Sequence, residues 1–304
     1  MKRRLQVGMW NGLDLQRWEA YASERITGLE ISQFRSLEQL EELVSFVEAH
    51  GLGFGIHTPV LGGQGYSLPA ITSTAEADRE AGFARLKEEA SIARQFEADY
   101  LLLHYPYPSI FPSGQDPAYL RILPQFEHYS MDAWRRDRSF QSVTERAFER
   151  ISELQAQTGQ RIVLEYDFYG DFEIGWIADM FRQYPDIGLV ADLQRFDTHR
   201  RVFPRFDPYA YMDALAPYVY LVHYSNVKYG PEAMDRHLPV LPEQAGQPEY
   251  GDASLYLEYL SRRNRRFHLT FEHNPAKVTK EQLMACYEHA AAIMLGDEGG
   301  KLEK

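Results

Sequence analysis

Short apolar runs alternate along this chain with longer stretches of helical spacing, the pattern of a barrel or layered α/β fold. Leu5–Trp10 predicts a strand, and Asp14–Ser23 a helix that Asp14 can cap. A second strand is predicted over Ile26–Ser32. It leads into a helix over Ser36–His50, in which Leu37, Leu40, Leu43, Val44 and Val47 share one face before Gly51 closes it. Gly53–His57 is a third strand, broken by Thr58-Pro59 and a loop holding Gly62, Gly63 and Gly65. Glu76–Phe96 reads as a charged helix with Phe83, Leu86, Ala90 and Ala93 turned inward, and Tyr100–His104 as a fourth strand.

From Tyr105 to Ser139 the pattern is lost. The stretch is rich in aromatic residues and proline and reads as a lid over the mouth of the fold. Helix resumes over Ser139–Thr158 with Gly159 as its stop, and a fifth strand runs from Arg161 to Tyr166. Phe172–Tyr184 is predicted helical, Ile187–Leu193 a strand, and Leu193–Asp207 a basic loop carrying Arg195, His199, Arg200, Arg201 and Arg205. Pro208–Ala216 is a short helix, and Val219–Val222 is the core of a seventh strand that stops on His223. A polar loop then runs to Gly251 and contains Asp235-Arg236-His237. Asp252–Arg263, Phe267–Phe271 and Thr279–Leu295 complete the series as helix, strand and helix, with residues 296–304 as a frayed tail. Eight strand and helix pairs predict an α/β fold: a single (β/α)8 barrel domain over residues 1–295, with a long aromatic-rich loop after its fourth strand.

Composition agrees. At 304 residues, 44% apolar and 25% charged, the chain suits one large barrel core. A net charge of −12 removes long-range attraction to a phosphate backbone, which weakens a nucleic-acid partner without excluding it. The single cysteine, Cys286, permits no disulfide within the chain and fits a reducing, cytoplasmic setting. The basic start has an apolar run too short for a signal-peptide core. No run approaches the roughly 18 to 20 apolar residues of a membrane helix.

The strand ends carry the chemistry. The third to eighth strands stop at His57, His104, Glu165, Asp192, His223 and Glu272. Any one of these is most simply a polar residue where a strand meets water; six in succession suggest a ligand ring at the C-terminal mouth. Mixed imidazole and carboxylate donors suit a divalent ion of intermediate softness such as zinc or manganese. The near-absence of cysteine argues against a closed structural zinc site. No organic cofactor is called for.

The Glu, Asp, His, Glu set on successive strands, with HTP after the third strand and LLLHYP on the fourth, resembles the xylose isomerase-like TIM barrel superfamily. That superfamily holds sugar isomerases and epimerases together with endonuclease IV-like proteins. The resemblance implies a four-residue metal site of Glu165, Asp192, His223 and Glu272, with Glu165 and Glu272 also moving the proton. In the nuclease branch, further zinc ligands would map to His57, His104, Asp235 and His237. The histidine that branch carries three residues after the strand-six aspartate is here Arg195, which can clamp an anion but cannot bind a cation. His199 lies close enough in sequence to stand in for a substrate-contacting histidine.

Three functions follow from this resemblance. The first is a metal-dependent isomerase or epimerase of a sugar, sugar acid or polyol, working through an enediolate; Arg195 and His199 would hold the substrate, and His57, His104, Asp235 and His237 a second ion or the substrate. The second is an endonuclease IV-like phosphodiesterase acting on abasic DNA. The third is a sugar-binding barrel without catalysis, which has no use for two carboxylates aimed at one cation. A small carbohydrate is the expected partner, a homo-oligomer is compatible with it, and no membrane is implied. Arg200, Arg201 and Arg205 read as a solvated rim. His128, His268, His273 and His289 fit no site pattern, and the aromatics of the lid and Trp134 read as packing.

Overall fold

The computed structural model describes residues 3–63, 68–109, 114–123, 138–167 and 173–295. Its barrel strands are β1 (Leu5–Met9), β2 (Ile26–Ile31), β3 (Gly53–His57), β4 (Leu101–Tyr105), β5 (Ile162–Tyr166), β6 (Gly188–Asp192), β7 (Val219–Tyr224) and β10 (His268–Phe271). Each pairs in parallel with its neighbour, and β1 closes the ring on β10. Between β7 and β10 an antiparallel hairpin, β8 (Asn226–Tyr229) and β9 (Met234–Leu238), stands outside the ring. The helices are α1 (Leu15–Tyr21), α2 (Leu37–His50), α3 (Glu76–Gln95), α4 (Pro117–Leu120), α5 (Arg138–Thr158), α6 (Ile174–Gln183), α7 (Leu193–Val202), α8 (Pro208–Leu215), α9 (Ala253–Ser261) and α10 (Lys280–Leu295). The expected (β/α)8 barrel is therefore the fold.

Both faces of every barrel strand are covered, which is why the strands read as nearly continuous apolar runs. Outward residues such as Val7, Leu29, Ile31, Ile56 and Leu103 join the helices in one large cluster, while Tyr100, Leu102, Val163, Val190 and Leu221 form a second, smaller one. By alternation the second cluster is the filling of the barrel interior. Burying one such aliphatic side chain contributes about 1.5–3 kcal/mol, so the two clusters together outweigh any polar contact in holding the ring. Parallel register sets His104 beside Glu165 and Asp192 beside His223, so the polar strand ends reach the same level of the barrel.

Local signals explain most helix ends. Asp14 accepts a hydrogen bond from the amide of Arg17 and caps α1, and Gly51, in the left-handed region at φ 64°, closes α2. Leu40, Leu43 and Val47 of α2 face the core and Val44 packs on it, but Leu37, at the first position of the helix, is 38% exposed.

Two expectations are corrected. Leu193–Asp207 is no loop: it begins with α7, whose amide of Arg195 is capped by Asp192 and whose Leu193, Phe196 and Val202 are buried; its density of charge hid that periodicity. Asp235-Arg236-His237 likewise lies on strand β9, paired with β8 across a turn at residues 230–233. Of the expected lid only residues 105–109, 114–123 and 138–139 are described; the rest of it, with His128 and Trp134, and the 296–304 tail lie outside the described residues. Among the described residues no helix is long and apolar enough to cross a membrane.

Candidate active site

The strand ends open into a cavity of about 580 Å³ lined by His57, His104, Glu165, Asp192, Arg195, His237 and Glu272, with Trp10, Gln33, Leu68 and Tyr107 among the walls. Gln33 and His237 sit at φ 62° and 55°. Left-handed backbone at non-glycine residues is tolerated where the surroundings impose it, and both of these side chains line the cavity.

His223 is fully buried at the centre. Its Nδ1 lies 3.4 Å from Oε1 of Glu165 and 3.4 Å from Oε1 of Glu272, and its Nε2 lies 2.9 Å from Oε1 of Glu30. No contact runs along an N–H direction, so both ring nitrogens are left without an aligned hydrogen bond. A second group lies beside it: His57 Nε2 is 3.2 Å, and His104 Nδ1 3.6 Å, from Oε2 of Glu165. Nδ1 of His57 is 2.6 Å from the carbonyl oxygen of Thr58, which can only accept, so Nε2 presents a lone pair to a carboxylate oxygen. Two acceptors facing each other need a proton or a cation between them.

Arg195 supplies the fixed positive charge. Its Nη2 lies 3.0 Å from Oε1 of Glu165, its Nη1 3.0 Å from Oδ1 of Asp167, and its Nε 3.5 Å from Oδ2 of Asp192; Nη1 also donates to the carbonyl of Tyr166 at 2.7 Å. Burial would lower its pKa, but the fields of Glu165, Asp167, Asp192 and Glu272 prevail and raise it. Burial likewise opposes ionisation of Glu165, yet Arg195, His104 and His223 hold that carboxyl well below the usual range. Glu272 goes the other way: burial, with Asp192, Glu165 and Glu30 adding repulsion against the pull of His223, raises it to about 7.

Of the four expected ligands, Glu165, His223 and Glu272 meet directly, while Asp192 is engaged by the guanidinium and backbone amide of Arg195. Geometrically, the ligand-spaced groups are His57, His104 and Glu165, and Glu30, His223 and Glu272. The unmatched nitrogens of His223 and the facing acceptors of His57 and Glu165 fit a divalent ion of mixed nitrogen and oxygen preference. His237 reaches the cavity, its Nδ1 donating to the carbonyl of Glu272 at 3.0 Å and its backbone amide to Gln194 at 2.7 Å. Asp235 does not: it is 55% exposed and paired with Lys277. His199 is buried behind the wall, with Nδ1 3.1 Å from the Tyr166 hydroxyl and its ring edge-on to Phe203 and Phe206.

Glu30 and Asp167 were not anticipated. A signal existed for both: Glu30 is the lone charge within the apolar second strand, and Asp167 follows Glu165 by two residues. Nor are Arg200 and Arg201 a solvated rim, since both bind the buried carboxylate of Asp197, whereas Arg205 is exposed. Among the described residues, three further histidines stay outside the site: His268 meets the amide of Arg4, His273 meets Cys286, and His289 meets Ser254.

No family model and no curated protein matches the sequence. Solved structures do match over almost the whole chain. A D-tagatose 3-epimerase-like protein aligns at 15% identity and TM-score 0.61, covering 96% of this chain and 97% of its own. Mannonate dehydratase from Streptococcus suis serotype2 aligns at 13% identity and TM-score 0.62, covering 99% and 97%. Endonuclease IV from Thermus thermophilus aligns at 15% identity and TM-score 0.52, covering 95% and 98%. These neighbours are xylose isomerase-like TIM barrel proteins, and at such identities the likeness is one of fold.

Proposed function

We propose that the protein is a divalent-metal-dependent isomerase or epimerase of a sugar, sugar acid or polyol. The observation that carries this reading is the pair of cavity carboxylates, Glu165 and Glu272, each 3.4 Å from the same buried nitrogen of His223. Glu165, Asp192, His223 and Glu272 would hold the ion, which when bound supplies Lewis acidity for negative charge developing on a carbonyl and its neighbouring hydroxyl. The rest falls to the chain's own groups. Glu165, kept ionised beside Arg195, removes the proton from the carbon next to the carbonyl, leaving an enediolate. Glu272, across the same His223 nitrogen from Glu165, returns a proton to carbon or oxygen, so that the two carboxylates divide the base and acid roles. Arg195, already committed to three carboxylates, offsets their repulsion, and Trp10 and Tyr107 offer apolar walls to a sugar ring.

A panel of ketoses and sugar acids incubated in D2O with manganese or zinc tests the reading. Deuterium should appear at the carbon beside the carbonyl of at least one of them, and no incorporation from any would count against it. A second reading, the abasic-site phosphodiesterase, draws on the separate group of His57, His104 and Glu165, which could hold a further ion. The pairing of Asp235 with Lys277 and the guanidinium at position 195 speak against it. Nicking of an abasic duplex at low salt, without deuterium incorporation into any sugar, would replace the first reading by the second.

A further inference from the structure

On the side of β1, β2 and β10 the floor beneath the site is polar, where the rest of the barrel interior is filled by apolar side chains. Gln6 of β1 donates through Nε2 to the hydroxyl oxygen of Tyr100 at 2.8 Å and to Oγ1 of Thr270 at 3.1 Å. The Tyr100 hydroxyl donates in turn to Oε2 of Glu30 at 2.6 Å. This chain has a direction. An amide nitrogen can only donate, so the tyrosine proton points at Glu30 and occupies one carboxylate oxygen as acceptor. The other, Oε1, is left facing Nε2 of His223 at 2.9 Å.

Room for this layer is made at two glycines. A Cβ at Gly55 would stand 2.0 Å from the Tyr100 ring, and one at Gly28 would stand 3.0 Å from the Gln6 side chain. A network of buried polar groups is costly unless its members satisfy one another, and here its far end is His223, whose Nδ1 faces the cavity carboxylates Glu165 and Glu272.

From this we infer that Glu30 is the positioning residue of His223: as the carboxylate nearest Nε2, at 2.9 Å though off the N–H line, it favours the proton on that nitrogen, so that the lone pair of Nδ1 is reserved for a cation between Glu165 and Glu272. The inference rests on the metal-site reading above and deepens it. Glu30 is itself 3% exposed and does not line the cavity, and the site group it stands against is the His223 ring. A carboxylate behind a ligating histidine fixes its tautomer and orientation, and losing such a partner typically weakens metal binding about 10- to 100-fold.

Glu30→Gln tests this. Zinc affinity, measured by chelator competition on the full chain, should fall about 10- to 100-fold while far-UV circular dichroism stays unchanged. In 15N spectra of metal-free protein, taken at a pH where the ring is neutral, the resonance lost in His223→Asn should report the Nε2–H tautomer in the wild type and a mixture in Glu30→Gln. Unchanged affinity and an unchanged tautomer would overturn the role of Glu30 while leaving the metal site standing. If the wild type binds no zinc, the metal reading fails instead, and the tautomer alone decides whether Glu30 orients the ring. Should Glu30→Gln not fold, Tyr100→Phe carries the same two measurements, with a smaller loss expected because Glu30 keeps its charge.

Discussion

Two buried carboxylate centres, one around Asp197 on α7 and one around His223 at the end of β7, are finished differently. Asp197, fully buried, accepts from Arg200, the amide of Asp252 and the Tyr256 hydroxyl on Oδ1, and from Arg201 and the Tyr229 hydroxyl on Oδ2. Both of its oxygens are used, and the contacts tie α7 to β8 and α9. Around His223 the opposite holds: three carboxylates surround one ring whose nitrogens have no aligned bond. A satisfied buried charge is a strut. An unsatisfied cluster of like charges stores electrostatic cost that a cation or a reacting proton relieves, and such clusters gather at functional sites.

Breaking each centre should therefore give opposite phenotypes. Glu165→Gln is expected to lower isomerase or epimerase turnover by about 10²- to 10⁴-fold, because an amide cannot take a proton, while urea denaturation is little changed; full turnover in the variant would remove Glu165 from the mechanism. Asp197→Ala should do the reverse, costing about 3–5 kcal/mol in urea denaturation because Arg200 and Arg201 lose their buried partner. A cost under about 1 kcal/mol would mean that the strut is idle.

The contrast sharpens on adding an ion. At a divalent-ion concentration 100 times its dissociation constant, the wild type should gain about 2.7 kcal/mol of stability, and chelator should reverse it. Glu165→Gln should gain far less, whereas Asp197→Ala should gain nearly the full amount; equal gains in all three proteins would put the ion elsewhere. The smallest effect is expected at His289, whose one side-chain bond is to Ser254 on the barrel's outer layer. His289→Ala should cost about 1 kcal/mol or less and leave ion binding as it was, which thermal melting with and without ion would check.

Several of these residues are legible in the sequence. Glu165, Asp192, His223 and Glu272 announce themselves because each ends an apolar run, and a closed parallel barrel brings all such ends to one mouth. His57 and His104 follow the same rule. Asp197 does not, since within LQRFDTHRRV the few apolar residues, Leu193, Phe196 and Val202, are outnumbered by charged and polar ones, and helical burial is masked by the arginines that pair with it. Asp235 misleads for a related reason: two residues apart on a regular strand it would share a face with His237, but the left-handed backbone at His237 (φ 55°) breaks that alternation, so His237 lines the cavity while Asp235 pairs with Lys277.

The eight-fold alternation and the identity of the mouth residues were thus determined by local pattern alone, because strand and helix periods are properties of neighbours along the chain. Charge balance was not. That Arg195 turns onto Glu165 and Asp167, and that Glu30 stands behind His223, depends on contacts between elements far apart in sequence. Such contacts exist only once the ring has closed, when desolvation obliges each buried charge to find a partner within reach.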